Sequence, residues 1–139
     1  MLNKVFLDSA YAIALSSPND QHYARAVLLA ERLESESAQL ITTRAIMLEI
    51  GNALSKQRYR QDAIKLLQAL EADSQVEIVP VSESLYQRGF QLYSGRPDKD
   101  WGLTDCISFV VMTDQGLTEA LTTDVHFQQA GFLALLRES

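Results

Sequence analysis

The chain carries a single cysteine, Cys106, in 139 residues. A lone thiol closes no internal disulfide, which excludes a cystine-stapled scaffold and points to a reducing compartment. Two histidines, His22 and His126, and that one cysteine supply none of the Cys–His spacings of a zinc site. No apolar run approaches the roughly 20 residues of a membrane-spanning helix. Residues 1–7 are too short an apolar stretch for a secretory leader and read as a strand, so a cytoplasmic protein with no membrane partner is expected. Six glycines and three prolines leave no collagen-like or low-complexity segment. With no linker or repeat, residues 1–139 read as one domain, long enough to enclose a core. Positive charge is scarce too: 12 Lys and Arg stand against 18 Asp and Glu, a formal net charge of −6. That balance excludes a broad basic platform for phosphates. It is compatible with acids gathered at a site where a divalent cation reverses the local charge.

What is present is an alternation of short apolar runs and amphipathic segments. Lys4-Val5-Phe6-Leu7 reads as a buried strand ending at Asp8, with a short helix over residues 10–15 behind it. Asp20 is placed to cap a second helix, whose Tyr23, Ala26, Val27, Ala30 and Leu33 follow helical spacing. A strand is expected at 39–41, a third helix from Thr43 to about Lys56, and a fourth over 61–72 with Ala63, Leu67 and Leu70 inward. A strand at 76–79 precedes a fifth helix ending at Tyr93. Residues 103–114 include Ile107, Phe109, Val110, Val111 and Met112, apolar nearly all round, and predict a buried central helix stopped by Gly116. Strands at 119–122 and 132–136 complete the series. Strands alternating with helices imply an α/β fold with a mostly parallel sheet of four or five strands covered by helices on both faces.

Four carboxylates occupy positions that this architecture makes informative. Asp8 and Asp124 each follow a strand, and in parallel sheets ligand sites lie beyond the strands' carboxyl ends. Either acid alone is equally explained as a helix or turn cap. Glu49 falls beside Ile46 and Ala53 at the edge of the apolar stripe of its helix, where an ionised carboxylate needs a cation or a salt bridge, Arg44 and Lys4 being the candidates. Asp105 opens the central helix, where the dipole alone would favour an acid by about 0.3–1 kcal/mol. In the loop before it, Asp100 is a candidate to join the acids, and Arg96 or Lys99 to touch a phosphate. His126, two residues after Asp124, reads as a loop or packing residue. A converging set of oxygen donors suits Mg²⁺, with Mn²⁺ able to substitute.

Here the residues resemble those of a known family. Val5-Phe6-Leu7-Asp8-Ser9-Ala10-Tyr11 is similar to the opening strand and first acid of PIN domains. Leu48-Glu49-Ile50-Gly51-Asn52-Ala53-Leu54 resembles their second-acid helix, and Leu103-Thr104-Asp105-Cys106-Ile107-Ser108-Phe109 their third. Ala120-Leu121-Thr122-Thr123-Asp124-Val125-His126-Phe127, with Ala130-Gly131-Phe132 after it, looks like the fourth-acid strand and the family's ending. The four segments span nearly the whole chain in the family's order.

The resemblance implies a Rossmann-like fold and a Mg²⁺-dependent endoribonuclease, most often the VapC-type toxin of a toxin–antitoxin pair. It further implies homodimerisation and inhibition by a small antitoxin. Asp8 and Asp105 would be the principal metal ligands, with Glu49 and Asp124 completing the shell or orienting the attacking water. Ser9, Thr104 and Asn52 are accessory candidates, although helix capping explains Ser9 and Thr104 and a satisfied structural amide explains Asn52. Competing readings are a solitary RNA-processing nuclease and a non-catalytic module of the same fold. A haloacid-dehalogenase-like phosphatase would want a second Asp two residues after Asp8, where Ala10 stands, and a receiver domain would want paired early acids.

Overall fold

The computed structural model describes residues 2–137. Its elements are β1 (Lys4–Leu7), α1 (Ser9–Ser16), α2 (Tyr23–Ser35), β2 (Gln39–Thr43), α3 (Arg44–Ala53), α4 (Gln57–Ala72), β3 (Val76–Val79), α5 (Glu83–Gly95), α6 (Leu103–Gln115), β4 (Glu119–Leu121), α7 (Val125–Gln129) and β5 (Leu133–Ala134). The strands form one sheet in the order β3-β2-β1-β4-β5, every pair parallel. The chain therefore winds outward from β1 through β2 to β3, then crosses back to lay β4 on the other side of β1. The seam between β1 and β4 is the topological switch point, where a crevice opens beyond the strand ends.

Register puts the two strand ends level. Phe6 lies opposite Ala120 and Leu7 opposite Leu121, so Asp8 comes level with Thr122. The Asp8 amide still donates to the Leu121 carbonyl at 3.3 Å, and the Thr42 hydroxyl of β2 donates to the Leu7 carbonyl at 2.8 Å. The last residues of β1 are thus tied from both neighbours, and Asp8 leaves the sheet in a fixed direction.

Helix α6 is buried from Cys106 to Met112, as its all-round apolarity predicts, and the buried Ser108 hydroxyl returns to the Thr104 carbonyl at 3.1 Å. It stops at Gly116, whose φ of 67° is the left-handed conformation that lets the Leu117 amide reach back to Met112 at 2.8 Å. An aromatic cluster joins it to the sheet. Phe109 meets Phe127 edge-on at 4.9 Å and Trp101 edge-on at 5.1 Å, and Phe127 lies 6.2 Å from Phe6 of β1.

Some boundaries differ from the sequence expectation. Met1, expected in the first strand, lies outside the described residues. Helix α3 stops at Ala53 rather than near Lys56, and α4 begins at Gln57 rather than 61, because Arg60 reaches back to the Ser55 carbonyl at 2.7 Å and ties the turn to the new helix. Asp20 does not cap α2 directly; its Oδ1 accepts from the His22 amide at 2.8 Å, and the helix proper begins at Tyr23. The short helix α7 is an addition, and the last strand shrinks to Leu133–Ala134. Among the described residues no helix is long and apolar enough to cross a membrane.

The α5–α6 contact depends on a buried glycine. A Cβ added at Gly89 would lie 2.6 Å from Ile107 Cγ1 and 3.3 Å from its Cα. Gly89→Ala is expected to lower stability by about 1–3 kcal/mol through overpacking, read as a lower urea midpoint at unchanged slope. Gly95→Ala on the same helix, where a Cβ would meet nothing within 4 Å, serves as the control and leaves the midpoint unchanged or slightly raised.

Candidate active site

The seam between β1 and β4 gathers the four acids singled out by the sequence. Asp8 is the first residue beyond β1 and is 6% exposed. It stands at the cap position of α1, but its side chain makes no capping hydrogen bond. Instead its Oδ2 accepts from the Thr122 hydroxyl at 2.6 Å, and the same hydroxyl oxygen accepts from the Asp124 amide at 3.0 Å. Thr122, fully buried, therefore couples the first acid to the fourth. Glu49 reaches in from α3, where its Oε1 accepts from the Ser9 hydroxyl at 2.7 Å. Asp105, in the first turn of α6, uses Oδ2 to accept the Gly102 amide at 3.0 Å. Asp124 Oδ1 accepts the His126 amide at 2.9 Å.

A common design follows. Each carboxylate has one oxygen held by a donor of the chain. The other oxygens of Glu49, Asp105 and Asp124 have no hydrogen-bond donor among the described residues, and that of Asp8 has at most the adjoining Ser9 amide. No buried side-chain polar atom is left without a partner, so these oxygens open on solvent rather than on a sealed void. No Lys or Arg pairs with any of the four: among the described residues their one ion-pair partner is His126, whose Nδ1 lies 3.3 Å from Asp105 Oδ2 and 3.3 Å from Asp124 Oδ1. Such a donor set fits a hard divalent cation, which takes carboxylate oxygens and water.

The electrostatics agree. Burial, with added repulsion from Glu49 and Asp105, pushes the Asp8 carboxyl up from 3.8 to about 7, against the lowering effect of the Thr122 hydroxyl. Burial likewise raises Glu49, helped by Asp105 and Asp124 and opposed by the Ser9 hydroxyl. Asp105 is raised by burial and by Asp124, and eased down by the Gly102 amide and His126. The acids are near enough to feel one another's charge.

Several expectations are corrected here. Arg44 does not pair with Glu49; it pairs with Glu71 of α4. Ser9 is not spent on capping α1, because Glu49 takes its hydroxyl. Thr104 does not cap α6 either: the cap residue is Gly102, served by Asp105. Asn52 is exposed and its side chain forms no hydrogen bond among the described residues. Asp100 is exposed and stays outside the cluster, absent from the charges that shift Asp8, Glu49 or Asp105. Arg96 is engaged by Asp98 at 3.0 Å and lies over the Trp101 ring at 5.0 Å. Thr122 went unread, and His126, read as a loop or packing residue, lies against Asp105 and Asp124. The one trace His126 leaves in the sequence is its i, i+2 spacing from Asp124, the spacing of an Asx turn.

A model of the PIN domain matches residues 5–133. The chain belongs to the PIN-domain family. Over 134 residues it is 22% identical to the "23S rRNA-specific endonuclease VapC20" of Mycobacterium tuberculosis, covering 96% of this chain and 99% of that one. The crystal structure of M. tuberculosis VapC20, described as a sarcin–ricin loop cleaving toxin, superposes with a TM-score of 0.80 at 21% identity, covering 93% of this chain and 96% of that. VapBC2 from Rickettsia felis, solved bound to a DNA fragment from its promoter, gives a TM-score of 0.66 at 14% identity over 94% and 96% of the two chains. The all-parallel five-stranded sheet flanked by helices is the architecture shared with these PIN-domain structures.

The raised Asp8 carboxyl makes a prediction for the metal-free protein. The folded state holds this proton more tightly than the unfolded chain, so the group costs stability as pH rises from about 4 to about 7 and no more above that. Asp8→Asn removes the cost. In the presence of chelator the variant is expected to be more stable than the parent at pH 8, by roughly 2–4 kcal/mol, with the difference closing toward pH 4. Thermal denaturation at the two pH values checks this, and a difference independent of pH would refute it.

Proposed function

We propose that this PIN domain is a divalent-cation-dependent endoribonuclease of the VapC kind, the toxin of a toxin–antitoxin pair, using Mg²⁺ with Mn²⁺ as a substitute. The observation that carries the reading is the gathering of Asp8, Glu49, Asp105 and Asp124 near enough to raise one another's proton affinity, each with one oxygen anchored by the chain and none, among the described residues, paired with a Lys or Arg. Similarity to an rRNA-specific endonuclease over nearly the full length of both chains supports RNA as the substrate.

In this mechanism Asp8 and Asp105 would be the principal residues to hold the cation. Once bound, that ion supplies charge neutralisation at the phosphoryl oxygens and a lowered pKa for the attacking water. The remaining work belongs to side chains. Thr122 fixes the direction of Asp8, so its carboxylate would meet the cation in one orientation. Glu49, its Oε1 pinned by Ser9, keeps Oε2 available to orient the attacking water. Its raised proton affinity suits it to take that water's proton. Asp124 completes the acidic wall opposite Glu49. Homodimerisation and capture by a small antitoxin form part of the same proposal, supported by the resemblance to a VapBC complex. A small DNA-binding protein encoded by the adjoining reading frame is the expected partner.

The test is cleavage of defined RNAs by the purified protein. A 23S rRNA fragment bearing the sarcin–ricin loop and a tRNA pool are each incubated with Mg²⁺, with Mn²⁺ and with EDTA. Cleavage is expected with either ion, none with EDTA, and a loss of at least about 100-fold in Asp105→Asn, whose circular dichroism should match the parent. Absence of cleavage in every metal-loaded reaction, or Asp105→Asn cutting at the parental rate, overturns the reading.

A further inference from the structure

We propose that His126 is itself a ligand of the active-site cation through Nδ1, making the centre a mixed nitrogen–oxygen site that favours Mn²⁺ over Mg²⁺ beyond what four carboxylates alone would give. The inference rests on the cation site of the preceding section and extends it to a residue outside the four acids.

The first argument is geometric. Ligand atoms of Asp105, Asp124 and His126 all lie within 4.8 Å of one another. Nδ1 is 3.3 Å from Asp105 Oδ2 and 3.3 Å from Asp124 Oδ1. Adjacent donors about 2.1 Å from an octahedral ion are about 3.0 Å apart. The observed spacing is therefore within a few tenths of an ångström of what sharing one ion requires. A hydrogen bond explains it less well. One Nδ1–H cannot point well at two oxygens on different elements, and both contacts exceed the 2.7–2.9 Å of a charge-assisted N–H···O bond.

The second argument is that the ring is delivered, not merely nearby. Asp124 and His126 are locked together by the 2.9 Å bond from the His126 amide to Asp124 Oδ1. The next residue, Phe127, is fully buried between Phe6 of β1 and Phe109 of α6. The five-residue helix that carries the ring is thereby nailed to the two elements that bear Asp8 and Asp105. A histidine kept for packing would bury its ring; this one is partly exposed and turns Nδ1 into the acid crevice.

The chemical consequence is selectivity. Imidazole is a poor ligand for Mg²⁺ and a better one for later divalent ions, so a nitrogen in the set raises affinity for Mn²⁺ more than for Mg²⁺. The test uses the full-length protein and the metals alone. Calorimetric titration with MnCl₂ and MgCl₂ is run on the parent, His126→Asn and His126→Lys, with electron spin-echo measurement of ¹⁴N coupling to bound Mn²⁺. Expected are a ¹⁴N signal in the parent that both variants lose, a fall in Mn²⁺ affinity of about 10–100-fold in His126→Asn, and only a few-fold fall for Mg²⁺. His126→Lys keeps a positive charge but no imidazole, so parental Mn²⁺ binding in that variant would assign His126 to charge balance and overturn the proposal. Mn²⁺ bound to the parent without ¹⁴N coupling, or equal losses for both metals in His126→Asn, would overturn it as well. Failure of the parent to bind either metal would instead bring down the cation-site reading beneath it.

Discussion

Mutual repulsion among four carboxylates at one seam is the constraint around which this molecule is organised. Left to themselves, such groups separate or take up protons, and the high proton affinity of Asp8, Glu49 and Asp105 reflects burial first and that repulsion second. They stay together because each is fastened by a donor from a different part of the fold. The sheet order makes this possible: only beside β1 do two strands from opposite windings end at the same level. Phe6, Phe109 and Phe127 then join β1, α6 and α7 into one hydrophobic wedge behind the acids. The apolar core supplies the favourable free energy, and the seam is where part of it is given back.

Two of the acids carry a structural duty alongside the chemical one. Asp105 satisfies the Gly102 amide at the start of α6, and Asp124 satisfies the His126 amide at the start of α7. Capping therefore does not exclude a cation at these positions, because a carboxylate oxygen that accepts one amide keeps a second lone pair. Asp8 differs, since it sits at a cap position and does not cap. A carboxylate at a cap position that makes no capping bond and takes a hydroxyl 114 residues away is oriented by the seam and not by the helix.

Much of this was legible in the sequence, and the pattern of the misses is physical. Apolar runs ending in acids gave the strands and their ligand-facing ends, and the all-round apolarity of residues 106–112 gave the buried helix. Helix α7 escaped because five residues complete barely more than one turn, too little for periodicity to register. Side-chain hydroxyls escaped for another reason. Whether Ser9 caps its helix or holds Glu49, 40 residues away, is decided by how close α1 and α3 come in space. Thr104 and Ser9 look alike in sequence, each adjoining an acid, yet one hydroxyl anchors a carboxylate and the other has no partner among the described residues. Asn52 and Asp100 were placed by spacing along the chain, and their surroundings leave both on the outside.

The acid seam also bears on how an acidic protein meets a polyanion. With a formal charge of −6 and its acids concentrated at the crevice, the chain repels a phosphate from the point where chemistry would occur. A divalent ion there changes the sign of that field locally, so substrate affinity and catalysis become linked to the same binding event. The densest run of positive charge elsewhere is Lys56, Arg58 and Arg60, exposed around the first turn of α4, which packs against both α1 and α3, the helices carrying Ser9 and Glu49. These cations lie on a different element from any of the four acids, so the two signs of charge are segregated on the surface and the net charge of −6 describes neither region.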